Sequence, residues 1–280
     1  MPNSITASGP VRRQRGRVVS QKLHDFADFS NLFAQWNGQF HQMSRGNFQG
    51  SIQVVTGQNV RLFQAETNQA ILTRGMNSDS AIFIPITARN ASTRWAGRRL
   101  RLGSMLAKRP EAEYNNQTAP NSVIRALLVP VDVLRGAARK LSGGYSDLEL
   151  PLWSEQTPSS GKMKRFEQGL DGLLLAGIQT PAVLNSAEGR AIELECVRRL
   201  IDLLTEPSTA VSTNMLAKDR TILVRRAIDF MHGRLKEPLT AMELCAELGA
   251  SDRSFRRAFR EAFGMGPLAY FRVIRLHAVR

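Results

Sequence analysis

Residues 239–270 read LTAMELCAELGASDRSFRRAFREAFGMGPLAY, and this stretch predicts a run of short helices. Pro238 comes just before it and ends an earlier helix, because proline cannot continue one. Thr240 and Glu243 have the Thr-x-x-Glu spacing of a capping box, which begins the next helix. Gly249 ends that helix and Ser251 caps another, which runs to about residue 263. A short helix, a turn that contains glycine and a second helix together predict a helix-turn-helix.

The second helix of this pair has two contrasting faces. At about 100° per residue, its apolar residues fall on one side and predict a buried core. They are Phe255, Ala258, Phe259, Ala262 and Phe263. The opposite side carries Arg253, Arg256, Arg257 and Arg260, which could form an ordinary solvated face. Only Asp252 and Glu261 balance them nearby, and the second helix of a helix-turn-helix enters the major groove, so we expect these arginines to contact DNA.

The position of each side chain along this helix predicts its role on DNA. Side chains near the N-terminal end reach base edges, and arginine can donate two parallel hydrogen bonds to guanine O6 and N7. We expect Arg260 and Arg234 to contact phosphates, which set affinity more than sequence preference. The predicted DNA-binding residues are Ser251, Asp252, Arg253, Ser254, Arg256, Arg257 and Arg260.

Two motifs in this region resemble the AraC/XylS family of transcription regulators. Residues 264–276 are similar to the family signature G-x-x-P-x-x-Y-x-x-x-x-R-L. The upstream pattern L-T-x-x-E-L-C-x-x-L-G-x-S, residues 239–251, also fits. The resemblance covers the C-terminal region, residues 218–280. It implies a DNA-binding transcription regulator. From the family, we expect an activator that acts on RNA polymerase.

The resemblance also predicts how this chain departs from the family. In the family, a helix after the signature proline joins two helix-turn-helix units that occupy successive major grooves. The sequence ends at Arg280, inside that helix, so we expect the second unit to be missing. One unit covers one groove segment, and a monomer with a single unit is expected to bind DNA weakly.

The positive charge is concentrated in two regions. The formal net charge is +14. Residues 1–109 contain 15 Lys and Arg against 4 Asp and Glu, and residues 214–280 contain 13 against 7. The region between them, residues 110–213, contains 10 against 13. DNA accounts for the C-terminal excess, and the N-terminal excess indicates a second polyanionic partner.

Periodicity predicts an α+β chain with four segments. We expect a flexible basic arm (1–19), a sensory and dimerisation domain (20–206), a linker (207–217) and the helix-turn-helix domain (218–280). Short strands from Phe40 to Pro130 favour a small antiparallel barrel or sandwich, and the family resemblance implies a cupin-like barrel. The amphipathic helix 186–206 is expected to pack on the core or on a second subunit. Together with the family resemblance, it predicts a homodimer.

Two Arg-x-x-x-Arg patterns make an anionic effector the leading hypothesis for the N-terminal region. They run from Arg13 to Arg17 and from Arg94 to Arg98, and are similar to the motif by which PilZ domains bind cyclic di-GMP. Arginine pairs bidentately with phosphate, and Trp95 offers an aromatic face. We prefer the second pattern because a turn is better fixed than an arm. The predicted effector-binding residues are Arg13, Arg17, Arg94, Trp95, Arg98 and Arg99. The alternative is that these charges only face solvent or assist DNA binding.

Other function classes find less support. The four histidines are unpaired in sequence, and no His-x-His or His/Glu grouping indicates a metal-dependent cupin enzyme. We therefore expect no enzyme activity, metal or cofactor. The two cysteines suit a reducing cytoplasm, and no segment is apolar enough to cross a membrane. A remaining alternative is a regulator whose N-terminal domain only dimerises, or binds a protein or a different small molecule.

Overall fold

The structure is a computed structural model that describes residues 16–32, 38–76, 80–95, 98–110, 112–141, 153–205, 215–263 and 265–278. Its strands are β1 (Arg17–Leu23), β2 (Gly38–Gln42), β3 (Gly50–Thr56), β4 (Arg61–Thr67), β5 (Ile71–Met76), β6 (Ser80–Pro85), β7 (Arg94–Trp95), β8 (Arg98–Arg99), β9 (Met105–Lys108), β10 (Glu113–Gln117), β11 (Ser122–Pro130) and β12 (Trp153–Gln156). Its helices are α1 (Phe26–Leu32), α2 (Val131–Leu141), α3 (Ser160–Gln179), α4 (Ala187–Leu204), α5 (Met215–Gly233), α6 (Ala241–Leu248), α7 (Asp252–Phe263) and α8 (Pro267–Ala278), with a 3-10 helix at Pro181–Asn185.

The strands form two antiparallel sheets. A seven-stranded sheet has the order β1-β3-β4-β11-β6-β9-β12, and a five-stranded sheet has the order β2-β5-β10-β7-β8. Helices and antiparallel sheets together confirm a mixed α and β architecture. Within the described ranges, no strand pairing joins the two sheets into a closed barrel, so the predicted barrel is replaced by two facing sheets. We call β1–β12 with α1–α4 the β domain, and α5–α8 the helical domain.

Strand β11 shows how the layers of the β domain are held together. Side chains alternate between the two faces of a strand. Leu127 and Val129 join a cluster that packs the seven-stranded sheet against α2, α3 and α4. Ala126 and Leu128 join a second cluster, which lies between the two sheets. Both faces of this strand are therefore buried, and the seven-stranded sheet is the central layer.

The helical domain adds a further layer on the five-stranded sheet. Its own core contains residues of α5, α6, α7 and α8, among them Phe259 and Tyr270. Leu72 of β5 belongs to this same cluster and is fully buried. The two domains are thus packed together at β5.

Several predicted elements agree with the structure and two need correction. Helix α6 spans the predicted residues 241–248, and α4 lies within the predicted helix 186–206. Residues 99–107, within the region where short strands are predicted, do not form one continuous strand, because β8 ends at Arg99 and a turn follows, in which Gly103 has φ of +79°. Strand β1 begins at Arg17, so residues 17–19 are strand although they were assigned to the arm. The rest of the predicted arm and most of the linker lie outside the described residues.

A buried carboxylate ties α4 to the seven-stranded sheet. Glu193 is fully buried and accepts hydrogen bonds from the backbone N–H groups of Gln58 and Asn59, each at 2.7 Å. It thereby satisfies two donors in the turn between β3 and β4. The apolar side of α4, including Val197 and Leu200, packs into the adjacent core. This confirms the expectation that the helix packs on the core.

Candidate nucleic-acid interface and anion site

The first helix of the helix-turn-helix is fixed at both ends by its own sequence. Thr240 Oγ1 accepts a hydrogen bond from the N–H of Glu243 at 3.2 Å, and the Glu243 carboxylate accepts one from the N–H of Thr240 at 2.8 Å. These bonds complete the predicted capping box. The Thr240 hydroxyl also donates a hydrogen bond to the Glu243 carboxylate at 2.7 Å, and this bond, followed by the one from the Thr240 N–H, lowers the pKa of Glu243. Gly249 ends the helix in the left-handed region, with φ of +60°, where glycine carries no steric penalty. The turn that aims α7 is therefore set locally.

The aromatic side of α7 lies in the core of the helical domain, as predicted. Phe255, Phe259 and Phe263 are each fully buried. The ring centroids of Phe259 and Phe263 are 5.3 Å apart, and Phe263 lies 4.6 Å from Tyr270 of α8. Such aromatic packing fixes the rotation of a helix about its axis. It leaves the arginine side of α7 facing outward.

The seven residues predicted to bind DNA all lie on the exposed side of this region. Two of the arginines form ion pairs along the helix. Arg256 Nε lies 2.8 Å from Asp252 Oδ1, and Arg257 Nε lies 2.8 Å from Glu261 Oε1. All four partners are largely exposed, and exposed pairs of this kind contribute roughly 0.2–1 kcal/mol. A DNA phosphate or base edge can therefore replace the carboxylates at little cost.

Ser251 and Ser254 have a structural role at the start of α7. Ser251 Oγ accepts a hydrogen bond from the N–H of Ser254 at 3.3 Å, the contact expected of an N-cap residue. The hydroxyl of Ser251 also donates a hydrogen bond to the hydroxyl of Ser254, at 2.9 Å. Arg234, the other predicted phosphate contact, lies over the ring of Phe230 at 4.8 Å and next to Glu237. DNA contacts by these residues stay predictions.

The structure separates the effector candidates on strands β7 and β8. Trp95 is 1 % exposed and lies in the core between the sheets, so it offers no surface face to a base. Arg98 forms an ion pair of 2.6 Å with Glu155, which is itself 1 % exposed. Glu155 also accepts hydrogen bonds from the N–H of Arg101 at 2.5 Å and from Ser104 Oγ at 3.1 Å. Trp95 and Arg98 therefore have structural roles, and contact with an effector by Arg98, whose side chain is 35 % exposed, stays a prediction.

Arg94 and Arg99 come together instead. They are directly opposite each other on the antiparallel strands β7 and β8. The pairing brings two positive charges to the same part of the sheet, and Arg99 Nε also donates a hydrogen bond to the carbonyl oxygen of Ala91 at 3.4 Å. A cleft of about 270 Å³ lies beside them. It is lined by Ala70, Ser92, Arg94, Arg99, Gln117, Thr118, Ala119 and Pro120.

The pattern from Arg13 to Arg17 lies elsewhere in the chain. Arg17 is exposed on β1, at an edge of the seven-stranded sheet, and Arg94 belongs to the five-stranded sheet. Arg13 lies outside the described residues. The two patterns therefore fall in different sheets, and the described residues show no shared site for them.

The space between the two sheets is small and apolar. A pocket of about 90 Å³ lies there, and its walls include Phe29, Phe40, Phe63 and Leu128. Among the described residues, no group of three or more His, Cys, Asp and Glu side chains is placed to hold a metal ion. In the same part of the chain, no helix combines the length and apolarity that a membrane span requires.

Sequence reasoning missed a group of buried and half-buried residues between the two domains, most of them polar. We call it the seam: His41, Leu72 and Arg74 of the five-stranded sheet, with His232 of α5 and Tyr270 of α8. The rings of His41 and His232 are 6.3 Å apart. Burial raises the pKa of Tyr270 to about 12, and the charge of Arg74 opposes that shift. Burial, and then Arg74, lower the pKa of His232.

Solved structures resemble this chain only distantly, and no family model matches it. The AraC-like transcriptional activator CuxR is 16% identical, with 93% of this chain and 95% of that chain covered and a TM-score of 0.47. Apo ToxT from Vibrio cholerae is 10% identical over 84% of this chain and 96% of that chain, with a TM-score of 0.28. Wild-type ToxT bound to an unsaturated fatty acid is 10% identical over 92% and 95%, with a TM-score of 0.26. With scores this low, we base the functional proposal on the residues of this chain.

Proposed function

We propose that this protein is a sequence-specific DNA-binding transcription regulator of the AraC/XylS type, with α7 as the recognition helix. The observation that carries the proposal is the α6–α7 pair, which has a complete capping box, a left-handed glycine turn and an outward arginine face. A helix in this position enters the major groove with its first residues at the base edges. The protein acts as a cytoplasmic activator that works with RNA polymerase.

DNA binding has a direct test in the salt dependence of affinity. Each phosphate contact that is made adds about 0.9 to the slope of log affinity against log salt. The measurement is fluorescence anisotropy of the full chain with a labelled duplex at several salt concentrations. We expect Arg260→Gln to reduce the slope by about one. Arg89→Gln, on the β domain, is the matched control and leaves the slope unchanged. An unaltered slope for Arg260→Gln would remove the phosphate assignment.

The effector site of the proposal is the cleft at Arg94 and Arg99, and the effector is an anion, with cyclic di-GMP as the first candidate. Two guanidinium groups on facing strands can bind one phosphate from two sides. In this proposal, Arg94 and Arg99 are the main contact residues, because Arg98 is ion-paired with Glu155 and Trp95 is buried. Contacts from Arg13 and Arg17 stay part of the proposal as predictions.

Isothermal titration calorimetry of cyclic di-GMP into the full chain tests the effector. We expect binding by the wild type and at least a tenfold loss in Arg94→Gln and in Arg99→Gln, since each variant removes a bidentate partner. Arg89→Gln, an exposed arginine at another position of the β domain, is expected to bind as the wild type does. Absence of heat in the wild type would reject cyclic di-GMP as the effector.

A partner protein or a second copy is the other candidate for the β domain. The observation in its favour is that Leu175 of α3 and Leu194 of α4 are each more than half exposed. Surface leucines are common singly, so the pair requires a test. We expect a dimer in light scattering and a shift to monomer in Leu194→Glu. A monomeric wild type would contradict the dimer.

A further inference from the structure

Strands β7 and β8, which carry the proposed anion site, are short and lie at the edge of the five-stranded sheet. Each has two residues, and β8 has only β7 as a neighbour among the described strands. Their ladder consists of two pairs, Arg94 with Arg99 and Trp95 with Arg98. A two-stranded hairpin is at best marginally stable on its own. The position of Arg99 therefore depends on support from outside this ladder.

The two pairs of this ladder lie on opposite faces of the sheet. Trp95 belongs to the core between the sheets, and Arg98 shares that inner face because directly opposite residues point the same way. Side chains alternate along a strand, so Arg94 and Arg99 lie together on the outer face, where both line the cleft. A slip of one residue in β8 would exchange the faces of Arg98 and Arg99. The anion site is therefore complete in one register only.

A carboxylate of the other sheet holds Arg98 on the inner face. Glu155 of β12 is directly opposite Leu106 of β9, which lies in the core between the sheets, so Glu155 is on the face that the five-stranded sheet covers. Its Oε2 accepts a hydrogen bond from Arg98 Nη2 at 2.6 Å. Because β12 and β8 belong to different sheets, this ion pair joins the two sheets at the hairpin.

Glu155 also fixes the chain that leaves β8. Its Oε1 accepts hydrogen bonds from the N–H of Arg101 at 2.5 Å and from Ser104 Oγ at 3.1 Å. The same turn is tied to the end of β6, since the N–H of Gly103 donates to the carbonyl oxygen of Ile86 at 2.7 Å. Hydrogen bonds to an ionised carboxylate are stronger than those between neutral groups. One buried side chain thus fixes both β8 and the turn that follows it.

We propose that Glu155 is a positioning residue of the anion site. By holding Arg98 on the inner face, it sets the register of β7 and β8 and thereby brings Arg94 and Arg99 together at the cleft. The inference rests on the proposed function, since it concerns the same site. Glu155 acts without touching the ligand, because contact residues that are already in place spend less free energy on ordering when an anion binds.

Isothermal titration calorimetry of cyclic di-GMP into full-length Glu155→Gln tests this role. We expect binding about tenfold weaker than in the wild type, because the arginines are no longer held in place. If Arg98 were instead a ligand residue that Glu155 only neutralises, the variant would bind at least as tightly. Glu155 is changed rather than Arg98 because the Arg98 side chain, 35 % exposed, can turn to solvent, so that no buried charge is left alone.

The matched control is Glu66→Gln. It makes the same change of charge at an exposed carboxylate, which pairs with Arg89 on the surface. We expect this variant to bind the dinucleotide as the wild type does. The comparison separates the position of Glu155 from its contribution to the net charge.

Hydrogen exchange without ligand separates positioning from folding. In Glu155→Gln we expect the amides of Leu100 and Arg101 to exchange about tenfold faster than in the wild type, because their protection comes from local bonds. The amides of β3 and β4, in the middle of the β domain, are expected to exchange as before.

The outcomes distinguish this inference from the proposed function. Unchanged or tighter binding in Glu155→Gln overturns the inference and leaves the proposed function in place. Weaker binding also overturns it if exchange is faster throughout the β domain or unaltered everywhere, because the loss then has another cause. A wild-type chain that does not bind the dinucleotide overturns the proposed effector and this inference with it. Weaker binding together with faster exchange confined to the hairpin and its turn supports both.

Discussion

The helix-turn-helix and the seam are built from different kinds of sequence information. The caps, the turn and the amphipathic faces of α6 and α7 are all encoded locally, within residues 240–263. The seam joins Arg74 in the middle of a strand to Tyr270 near the end of the chain. The first region presents its arginines to solvent, whereas the second buries one. Exposed charge is available to a partner, and buried charge orders the elements around it.

The largest expected effect is at the core that orients α7. Phe259→Ala removes a fully buried ring that packs against Phe255, Phe263 and Tyr270. We expect a loss of about 3–5 kcal/mol in the free energy of unfolding. Thermal or urea denaturation measures it. The control is Arg253→Ala on the opposite face, which should stay within about 0.5 kcal/mol of the wild type. Equal effects would contradict the two-faced helix.

The next prediction compares Arg98 and Arg94, the two arginines of one Arg-x-x-x-Arg pattern. Arg98→Ala leaves the buried carboxylate of Glu155 without its ion-pair partner. We expect it to cost about 2 kcal/mol of stability, since hydrogen bonds to charged groups contribute about 1.5–3 kcal/mol. Arg94→Ala removes a charge opposite another arginine and should cost less than about 0.5 kcal/mol. Urea denaturation of the two variants measures the difference, and the reverse order would contradict the structural role of Arg98.

A smaller effect is expected at the start of α6. Thr240→Ala removes the hydroxyl that accepts the N–H of Glu243. Loss of an N-cap costs about 1 kcal/mol. Thr240→Ser keeps the hydroxyl and should retain most of the stability. If the alanine and serine variants unfold at the same urea concentration, the capping box contributes nothing to this domain.

The smallest effect is a pH dependence of the seam. The pKa of His232 is lowered in the folded chain, so the unfolded chain binds the proton more readily. Its contribution to stability is present above the unfolded pKa of about 6.5 and is lost as pH falls below it. We expect faster hydrogen exchange of α8 at pH 5.5 than at pH 7.5, and a smaller difference in His232→Gln. The same difference in the variant would assign the effect to other groups.

Much of the helical domain could be predicted from the sequence, because its signals are short-range. The Thr240 to Glu243 spacing and Gly249 fix the limits of α6, and the phenylalanine spacing of α7 identifies its buried face. The β7–β8 region was harder. The Arg94 to Arg98 spacing is a correct observation on the sequence, but a hairpin pairs Arg94 with Arg99, and Arg98 is bound by Glu155, which is distant in the chain.

The seam could not be predicted for the same reason. Nothing in residues 71–76 indicates that Leu72 packs against helices more than 150 residues later. From the sequence alone, Arg74 cannot be told from an arginine on the solvated face of a strand. In the fold, the helical domain covers this face of the five-stranded sheet. The adjacent apolar residues Ile71 and Leu72 indicate a strand that is buried on both faces, but they do not indicate which domain covers each face.

The measurement that tests the central claim most directly is selection of bound sequences from a random DNA duplex library, with the wild type and Arg256→Ala compared side by side. We predict one enriched site for the wild type, and for the variant the same site with preference relaxed at one base pair, at a cost of about 1–3 kcal/mol. No enriched sequence for the wild type, or an identical site for both proteins, would contradict base recognition by α7.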